Sequence, residues 1–413
     1  MDAPATDLTG PGWLAAAADR GEVHTVRLGW ADRLGGWRGK RMPVREFLSR
    51  APMSMGFCDG MIVCDVQCDI IEATPFSNYS TGYPDLHVHF HPDLARPAAW
   101  APGEAFVFGV PRDAAGRLLD VAPAAVLATV LRRLAELAVR VTVRASLAGA
   151  ALPRHGRPAG PPGAALPDGS SAASVGVAVL EGLAASGLPA TSVRSGLDPG
   201  SFVLGLGPAA VAELAEALVV AKSAAREIAG ARGLEAVFMT LRPGAADASL
   251  LELDVTVTGG PVLNPDALQR RIDAVRPLLF PSVTAMKARP PAVHVAGGLD
   301  GTQRVLAWAS SEADPGTALA AALAAIGSLA EAGSLAEAGP RAEAGPLGSP
   351  AAATTRPAIR DLRDAAAMAD HPWVTSWLGA PFLDNAIPLF EHEAELFQAA
   401  LTDWEIARYW SAS

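Results

Sequence analysis

Two acidic residues interrupt a run of the sequence that otherwise reads as a buried strand. The stretch ASLLELDVTV, residues 248–257, contains Glu252 and Asp254 two positions apart. Because side chains alternate between the two faces of a strand, both carboxylates point the same way, about 7 Å apart along the chain. Such a pair can bind a divalent metal ion, share a proton, or lie at a solvated edge, and the spacing alone leaves these alternatives open.

Histidines and cysteines form two further groups that could do chemistry. The stretch GYPDLHVHFHPDL places His87, His89 and His91 on one face of another strand. Neutral imidazoles at this spacing can ligate a metal ion, but a half-exposed strand with polar residues facing outward is the favoured interpretation. The three cysteines all fall within residues 58–68, without the spacing of a zinc knuckle. An odd number of cysteines in a large chain predicts buried thiols on strands and a reducing compartment.

Composition excludes several classes of protein. The 413 residues are 50% hydrophobic and 18% charged, which predicts a sizeable core and excludes disorder over most of the length. The net charge of −10 argues against binding to nucleic acid or to an anionic membrane surface. No uninterrupted apolar run reaches the roughly 18 residues of a membrane-spanning helix, and the first residues lack the pattern of a signal peptide. The sequence therefore predicts a soluble cytoplasmic protein.

Hydrophobic periodicity gives the elements that must position these residues. Residues 23–112 read as strands and turns, with a hairpin in HTVRLGWADRLGGWRGKRMP and an alternating strand in MIVCDVQCDII. The later segments predict, in order, a helix over 122–139, a strand in RVTVRASLAGAAL, a Pro/Gly-rich loop over 153–171, a helix from Pro208 to about Arg232 with Gly233 as its C-cap, and two strands, the second of which carries the two acids.

A short repeat lies near the C-terminal end of the sequence. The hexad SLAEAG is written twice from residue 328 and is followed by the variant PRAEAG. This repeat and the PLGSPAAATT after it predict a low-complexity linker over 328–356, since a glycine every sixth residue is incompatible with a coiled-coil heptad. The C-terminal stretch has helical spacing, and Trp404, Tyr409 and Trp410 are predicted to help dock it.

The order of these segments resembles the glutamine synthetase family, especially its actinobacterial glutamine-synthetase-like branch. The resemblance covers nearly the whole chain in order and rests on LGWADRLGGWRGKRMP, GFCDGMIVCDV, the stretch from GYPDLHVHFHPDL to DVAP, GPAAVAELAEALVVAKSAAREIAGARGLEAVFMTLRP, SVTAMKA and DWEIARYW. It implies an α+β fold with a small N-terminal β-grasp-like domain and a large α/β catalytic-type domain. On that basis the chain divides into an N-terminal segment (1–22), the β-grasp-like domain (23–112) and the catalytic-type domain (113–413), which contains the linker.

The resemblance also implies an ancestral reaction and an assembly. Glutamine synthetases use ATP to phosphorylate the γ-carboxylate of glutamate, and an amine then displaces the phosphate. Such chemistry uses acidic residues to hold divalent cations, Mg²⁺ or Mn²⁺, and arginines to neutralise phosphate charge. The family forms double rings with active sites shared between neighbouring subunits, so the resemblance implies a ring-type homo-oligomer.

Position by position, most of the family's metal-binding acids are replaced. The Glu-x-Glu-Phe motif matches ASLAG, where Ser146 and Ala148 replace both acids. The Gly-Gln-x-Glu motif matches the region SGLDPGSFVL, where Val203 replaces the acid and Asp198 is shifted along the loop. The Gly-Ser-Gly-x-His-x-His motif matches the stretch with the two acids, which stand where histidines are expected. Neither serine nor alanine supplies the anionic oxygen that a hard cation prefers, so Glu252 and its neighbour are retained only as metal-site remnants.

The phosphate-facing residues are replaced in a similar way. The Asn-x-x-Lys-Arg stretch matches TAMKA, which keeps Lys287 as a substrate-binding candidate. The Arg-x-Glu-x-Arg stretch matches RVLAW, which keeps Arg304 while Leu306 and Trp308 replace the acid and the second arginine. Asp59, in FCDG, resembles the acid of the family's ammonium pocket. The resemblance therefore leaves Arg304 and Asp59 as catalytic remnants.

These combined losses favour a catalytically degenerate glutamine-synthetase-like protein with a structural or regulatory role. It would form rings of its own or a hetero-oligomer with an active homologue, and no cofactor is expected for it. A site plugged by Val203, Leu306 and Trp308 would favour this hypothesis. Arg304 is the aligned side chain that can neutralise two acids left without cations.

Two alternatives remain open from the sequence. One is an active ATP-dependent carboxylate–amine ligase, of the glutamine synthetase or γ-glutamylamide synthetase type. Its site would be rebuilt from Glu252, Asp254, Arg304 and the histidine strand, and it would use ATP with Mg²⁺ or Mn²⁺. The other is a module that binds an amino acid or a nucleotide in part of the ancestral pocket.

Overall fold

The computed structural model describes residues 10, 12–113, 115–154, 173–242, 245–297, 301–337 and 361–400. The helices are α1 (Trp13–Asp19), α2 (Val44–Arg50), α3 (Pro123–Glu136), α4 (Ala173–Ala185), α5 (Val211–Ala231), α6 (Pro265–Ala274), α7 (Arg276–Leu279), α8 (Val283–Met286), α9 (Pro315–Glu337), α10 (Pro372–Leu378) and α11 (Ala380–Ala399). The strands are β1 (Thr25–Ala31), β2 (Trp37–Pro43), β3 (Met53–Cys58), β4 (Asp85–Phe90), β5 (Arg96–Pro97), β6 (Glu104–Phe108), β7 (Val110–Arg112), β8 (Arg140–Pro153), β9 (Ala190–Ser195), β10 (Ser201–Ala209), β11 (Leu234–Val237), β12 (Leu250–Thr258), β13 (His294–Gly297) and β14 (Thr302–Ser310).

The N-terminal strands form two small sheets around their own hydrophobic core. One sheet has the order β2-β1-β6-β5, and the other has the order β3-β4-β7. The predicted hairpin is present as β1 and β2, and Gly29 lies opposite Gly39. Gly29 is required there because a β-carbon would lie 1.8 Å from the indole nitrogen of Trp37. The core of this region is separate from the larger one and also takes up side chains of α1, such as Leu14.

The prediction of a strand in MIVCDVQCDII is wrong. A 3-10 helix spans Asp59–Ile62, and a loop follows it. The Asp65 carboxylate accepts hydrogen bonds from the backbone N–H groups of Gln67 (2.8 Å) and Asp69 (2.9 Å). An aspartate side chain that binds nearby backbone donors competes with strand formation, so the alternating pattern closes into a turn instead.

The larger part of the molecule is built on a third, seven-stranded sheet. Its order is β13-β14-β12-β8-β10-β9, and β11 pairs with β8. One face of β12 enters the core, where Leu251, Leu253 and Val255 are fully buried. Burying each of these side chains is worth about 2 kcal/mol, so a register shift by one residue would be costly. This face fixes the orientation of β12 and leaves Glu252 and Asp254 on the opposite, open face.

Helices α3 and α5 confirm the two helices predicted from the periodicity, with small differences at their ends. The predicted start of the second helix at Pro208 is too early, because Pro208 belongs to β10 and the helix begins at Val211. The predicted C-terminal helix is α11. Trp404, Tyr409 and Trp410 lie outside the described residues, as does most of the predicted loop over 153–171.

Helix α9 extends further than the repeat pattern predicts. It runs from Pro315 to Glu337, so the first ten residues of the predicted linker are helical, and residues 338–356 lie outside the described part of the chain. The glycines fit because the helix packs closely: β-carbons added at Gly327 and Gly333 would lie 2.2 Å from Trp377 and 2.7 Å from Pro261. Within the described residues the segment Pro315–Gly333 is long and apolar enough to cross a membrane, but 78% of it is buried in the protein, as in a core helix.

Charged side chains are buried where the N-terminal sheet meets α5 and the start of α9. Asp32, Lys222 and Asp314 are each at most 2% exposed. Asp32 accepts a hydrogen bond from Nε of Arg38 (2.6 Å), and Nζ of Lys222 donates to the carbonyl of Ala313 (2.7 Å). Burial lowers the pKa of Lys222 and raises that of Asp314, and the opposite charge of each partner offsets part of this cost. We refer to Asp32, Lys222 and Asp314 as the buried ionic cluster.

Candidate functional site

A cleft opens on the face of the large sheet that carries the two acids. Its cavity volume is about 330 Å³. Among its lining residues are five positions at which the resemblance to glutamine synthetases assigns lost or altered metal and phosphate contacts, namely Ser146, Ala148, Val203, Glu252 and Trp308. The sheet brings them together by register: Glu252 pairs with Ser146 on one side and Trp308 on the other, and Val203 pairs with Ala148. Paired residues share a face of the sheet, so all five side chains meet at the cleft.

The cleft is not plugged by the bulky replacements. Val203 and Trp308 form parts of its wall. Leu306 lies two residues before Trp308 on the same strand, where it pairs with Asp254. Ser146 and Ala148 are smaller than the glutamates of the family motif, which leaves open space beside Glu252. The structure therefore has an accessible cleft in the place where a filled site was one expectation.

The two acids of β12 have different surroundings. Asp254 accepts two parallel hydrogen bonds from Arg304, from Nε (2.7 Å) and Nη2 (2.8 Å). This pairing confirms that Arg304 neutralises an acid of the pair, and in turn the Asp254 carboxylate raises the pKa of Arg304. Glu252 receives no hydrogen bond or ion pair from any residue in the described part of the chain, and it faces the cleft. The acids are therefore not a matched pair, because one is paired with an arginine and the other is free to contact a ligand.

Two arginines at the cleft have no motif that marks them in the sequence. Arg194, on β9, is exposed and lines the cleft. Arg242 follows β11, its side chain is only 8% exposed, and it approaches Asp198 at 3.4 Å. Burial lowers the pKa of Arg242, and the charge of Asp198 opposes that shift. Its Nε is buried without a hydrogen-bond partner among the described residues, and its Nη2 donates to Asp198 (3.4 Å).

Asp198 fixes the loop that carries the cleft's outer wall. Its carboxylate accepts a hydrogen bond from the backbone N–H of Ala246 (2.8 Å), and its carbonyl accepts one from the N–H of Ser201 (3.0 Å). The shifted acid of SGLDPGSFVL therefore ties two loops together instead of standing beside Glu252. Asp198 thus has a positioning role at the cleft.

The donor set of the cleft does not fit the divalent cations of ligase chemistry. Mg²⁺ and Mn²⁺ prefer several oxygen ligands in octahedral geometry. Glu252 stands beside Ser146 and Trp308, and Asp254 is bound by Arg304. Within the described ranges no three histidine, cysteine, aspartate or glutamate side chains are placed to share a metal ion.

The remaining predicted site residues lie elsewhere. The ammonium of Lys287 lies 4.7 Å from the ring centre of Phe397 on α11. Asp59 is 3% exposed in the N-terminal region, where it accepts a hydrogen bond from Ser77 (2.6 Å), and burial raises its pKa. His87 and His89 point outward from β4, which belongs to a different sheet from Glu252. The exposed–buried alternation of β4 agrees with the favoured interpretation of a half-exposed strand, and the chain does not bring the histidines to the cleft.

Comparison with known proteins identifies the fold. No family model and no curated protein matches the chain. Among solved structures, GmaS without ligand is 18% identical with a TM-score of 0.73, covering 96% of this chain and 98% of that one. GmaS in complex with ADP is 17% identical with a TM-score of 0.72, covering 98% and 100%. A novel glutamine synthase homolog is 18% identical with a TM-score of 0.74, covering 94% and 98%. The fold is therefore glutamine-synthetase-like, which confirms the predicted α+β class.

Proposed function

We propose that this protein, built on a glutamine-synthetase-like fold, is catalytically degenerate and has a structural or regulatory role. One observation carries the proposal: on the open face of the sheet, Glu252 is surrounded by Ser146, Ala148, Val203 and Trp308. Ligase chemistry on this fold requires several anionic oxygens around divalent cations. The cleft offers an open cavity with a hydroxyl, methyl groups and an indole at those places.

The magnitude of the loss supports the proposal. Removing a single preorganised group that stabilises transition-state charge typically costs about 3 kcal/mol, or two orders of magnitude in rate. Here several such groups are replaced together, and Arg304 is occupied by Asp254. The alternative of an active ligase with a rebuilt site would need Glu252, Asp254, Arg304 and the histidines to act together, and within one chain the two acids and the histidines lie on different sheets.

An ATP-dependent ligase assay tests the proposal directly. The protein would be incubated with ATP, Mg²⁺ or Mn²⁺, glutamate and a series of amines, while phosphate release is measured. We expect release equal to that of a control without protein. Glutamate-dependent release that is abolished in Glu252→Ala would overturn the proposal and favour the rebuilt ligase.

We propose as a second candidate that the cleft binds a small anionic molecule, such as an amino acid or a nucleotide. The supporting observation is Arg242, which lines the cleft and approaches Asp198 at 3.4 Å. A guanidinium can bind a carboxylate or a phosphate through parallel hydrogen bonds. Arg194 adds a second positive charge at the same cleft.

Thermal-shift screening would separate this candidate from a purely structural role. Glutamate, glutamine, nucleotides and polyamines would be compared for their effect on the melting temperature. We expect anionic compounds to raise the melting temperature and polyamines to leave it unchanged, and Arg194→Ala to reduce the anion effect. No shift with any anion, or an undiminished shift in Arg194→Ala, would remove the cleft as the binding site.

The assembly and location of the protein are also part of the proposal. We propose a cytoplasmic protein that forms a ring of its own or joins a homologue in one. The likeness to glutamine-synthetase-type structures and three cysteines that are free thiols support this. Size-exclusion chromatography with light scattering, alone and with an active homologue added, would measure the mass of the particle. A monodisperse monomer under both conditions would exclude the ring.

A further inference from the structure

The loop that follows the 3-10 helix at Asp59–Ile62 brings two of the cysteines to one guanidinium group. Nη1 of Arg38 lies 3.2 Å from Sγ of Cys68, and Nη2 of the same side chain lies 3.9 Å from Sγ of Cys64. Burial is the largest cause that raises the pKa of the Cys64 thiol, and the nearby Cys68 is a smaller one. Both sulfurs therefore lie beside the same planar cation.

The backbone of the loop holds the two cysteines in this arrangement. The N–H of Cys68 donates to the carbonyl of Asp65 (3.1 Å), and the N–H of Asp65 donates to the carbonyl of Asp69 (2.9 Å). Cys68 has a φ of 70°, in the left-handed region that residues other than glycine rarely adopt. A β-bridge joins Cys64 to Ile70. The turn therefore folds Cys68 back toward Cys64 at the expense of a strained backbone conformation.

The two thiols differ in access to solvent. Cys68 is exposed, whereas Cys64 is 4% exposed. A reagent in solution can reach Cys68 first, and Arg38 offers its thiolate a charged hydrogen bond. Cys64 lies behind it, where it can attack a modified Cys68 but is protected from direct modification. This pairing of an exposed and a shielded thiol is typical of reversible redox sites.

We propose that Cys64 and Cys68 form a reversible intramolecular disulfide through exchange with a small-molecule disulfide. The Cys68 thiolate attacks the small-molecule disulfide, forming a mixed disulfide and releasing one small thiolate. Cys64 then loses its proton and attacks Sγ of Cys68, displacing the second small thiolate. The two cysteines are oxidised by two electrons, and the small-molecule disulfide is reduced to two thiols.

Formation of the bridge changes the contacts of the surrounding residues. Arg38 would lose two thiol acceptors and keep its bond to Asp32. Cys64 also lines a cavity of about 100 Å³, together with Asp65 of the loop and Glu393 of α11. The bridge therefore acts at the contact between the N-terminal region and α11, without involving the cleft.

Mass spectrometry on the full-length protein tests the proposal. The protein would be equilibrated in glutathione redox buffers of graded potential, quenched in acid, alkylated, digested and mapped. We expect the peptide containing Cys64 and Cys68 to lose both alkylation sites and two hydrogens in oxidising buffers, and to regain both in reducing buffers. Cys58, which is exposed at the end of β3, should stay singly alkylated or carry a glutathione adduct.

Two variants keep the test decisive. Cys58→Ser is the matched control and should leave the bridge and its redox midpoint unchanged. Cys64→Ser should trap Cys68 as the glutathione adduct, because the second exchange step is lost. The proposal is overturned if Cys64 and Cys68 both remain alkylated in every buffer, if the bridge forms to Cys58 instead, or if Cys68 in the Cys64→Ser variant takes up no glutathione.

Discussion

The buried ionic cluster and the cleft both contain charged side chains, but these side chains differ in burial and in their bonding partners. In the cluster, Asp32 is bonded to Arg38 at 2.6 Å and Lys222 to a backbone carbonyl at 2.7 Å, and both charged groups are almost fully buried. At the cleft, Glu252 faces open space, and Asp254 is held by an arginine whose side chain is 59% exposed. The charges of the cluster belong to the packing between α5, α9 and the N-terminal sheet, whereas those of the cleft lie on a solvent-facing surface.

The difference separates charges that the fold needs from charges that it can do without. Buried charges are costly to change singly, since removing one leaves its partner unpaired in a poor solvent for ions. Charges around an open cleft can be replaced by serine, alanine or tryptophan with little effect on folding. The scaffold can therefore tolerate changes at the cleft, and substitutions in the two regions should have very different effects on stability.

The largest effect is expected for Lys222→Met. Methionine keeps the volume of the side chain but removes the opposite charge that Lys222 presents to the buried Asp314, so we expect a loss of about 3 kcal/mol or more at neutral pH. The loss should be smaller at low pH, because a protonated Asp314 no longer needs a cation. Urea unfolding at both pH values measures this. Lys40→Met is the matched control on an exposed strand residue and should cause a much smaller change; equal effects of the two substitutions would contradict the contrast between the regions.

An intermediate effect is expected at Glu216, on α5. This side chain borders a mainly apolar cavity of about 130 Å³, and burial raises its pKa from 4.5 to about 7. The folded state therefore holds the proton more tightly than the unfolded chain does. Its contribution to stability is present below about pH 4.5 and is lost as the pH rises to about 7, by about 1–3 kcal/mol.

Glu216→Gln should remove this part of the pH dependence. Unfolding free energies at several pH values between 4.5 and 8 would show a flatter profile in the variant than in the wild type. Glu181→Gln, at an exposed position on α4, is the control and should keep the wild-type slope. An unchanged slope in Glu216→Gln would show that the carboxyl is ionised in the folded protein throughout this range.

The smallest effect is expected for Arg304→Ala on the open face. The Asp254–Arg304 pair is well formed geometrically, but Arg304 is largely solvated and salt screens such pairs. We expect an unfolding midpoint close to that of the wild type, with a double-mutant cycle with Asp254→Ala showing weak coupling that decreases at high salt. A loss of unfolding free energy comparable to that of Lys222→Met would mean that charges on the open face also stabilise the fold.

The sequence predicted the elements of this fold better than the contacts between them. The hairpin at β1 and β2, helix α3 and strand β12 follow from local periodicity and turn residues. The extent of α9 did not, because the close approach of Trp377 to Gly327 makes glycine acceptable inside a helix, and that contact joins distant parts of the chain. The strand predicted around Cys64 failed because the Asp65 side chain bonds its own loop.

The candidate site was also predictable from the sequence only in part. Motif positions such as Ser146, Val203 and Trp308 could be identified from order along the chain, and the structure places them in one cleft. Arg194 and Arg242 could not be identified, because each is an isolated arginine in its own segment and only the sheet and the Asp198 loop bring them to the cleft. The contact of Arg38 with Cys64 and Cys68 was missed for a similar reason, since it crosses from one strand to a separate loop.

Trp308 gives the cleft an optical property of its own. Its indole stands half-buried on the cleft wall beside Glu252, so its fluorescence depends on whether water or another molecule fills the cavity. The chain contains nine tryptophans, and the difference in emission between the wild type and Trp308→Phe isolates the signal of this one. Trp308 is therefore a native reporter of occupancy, readable without any added label.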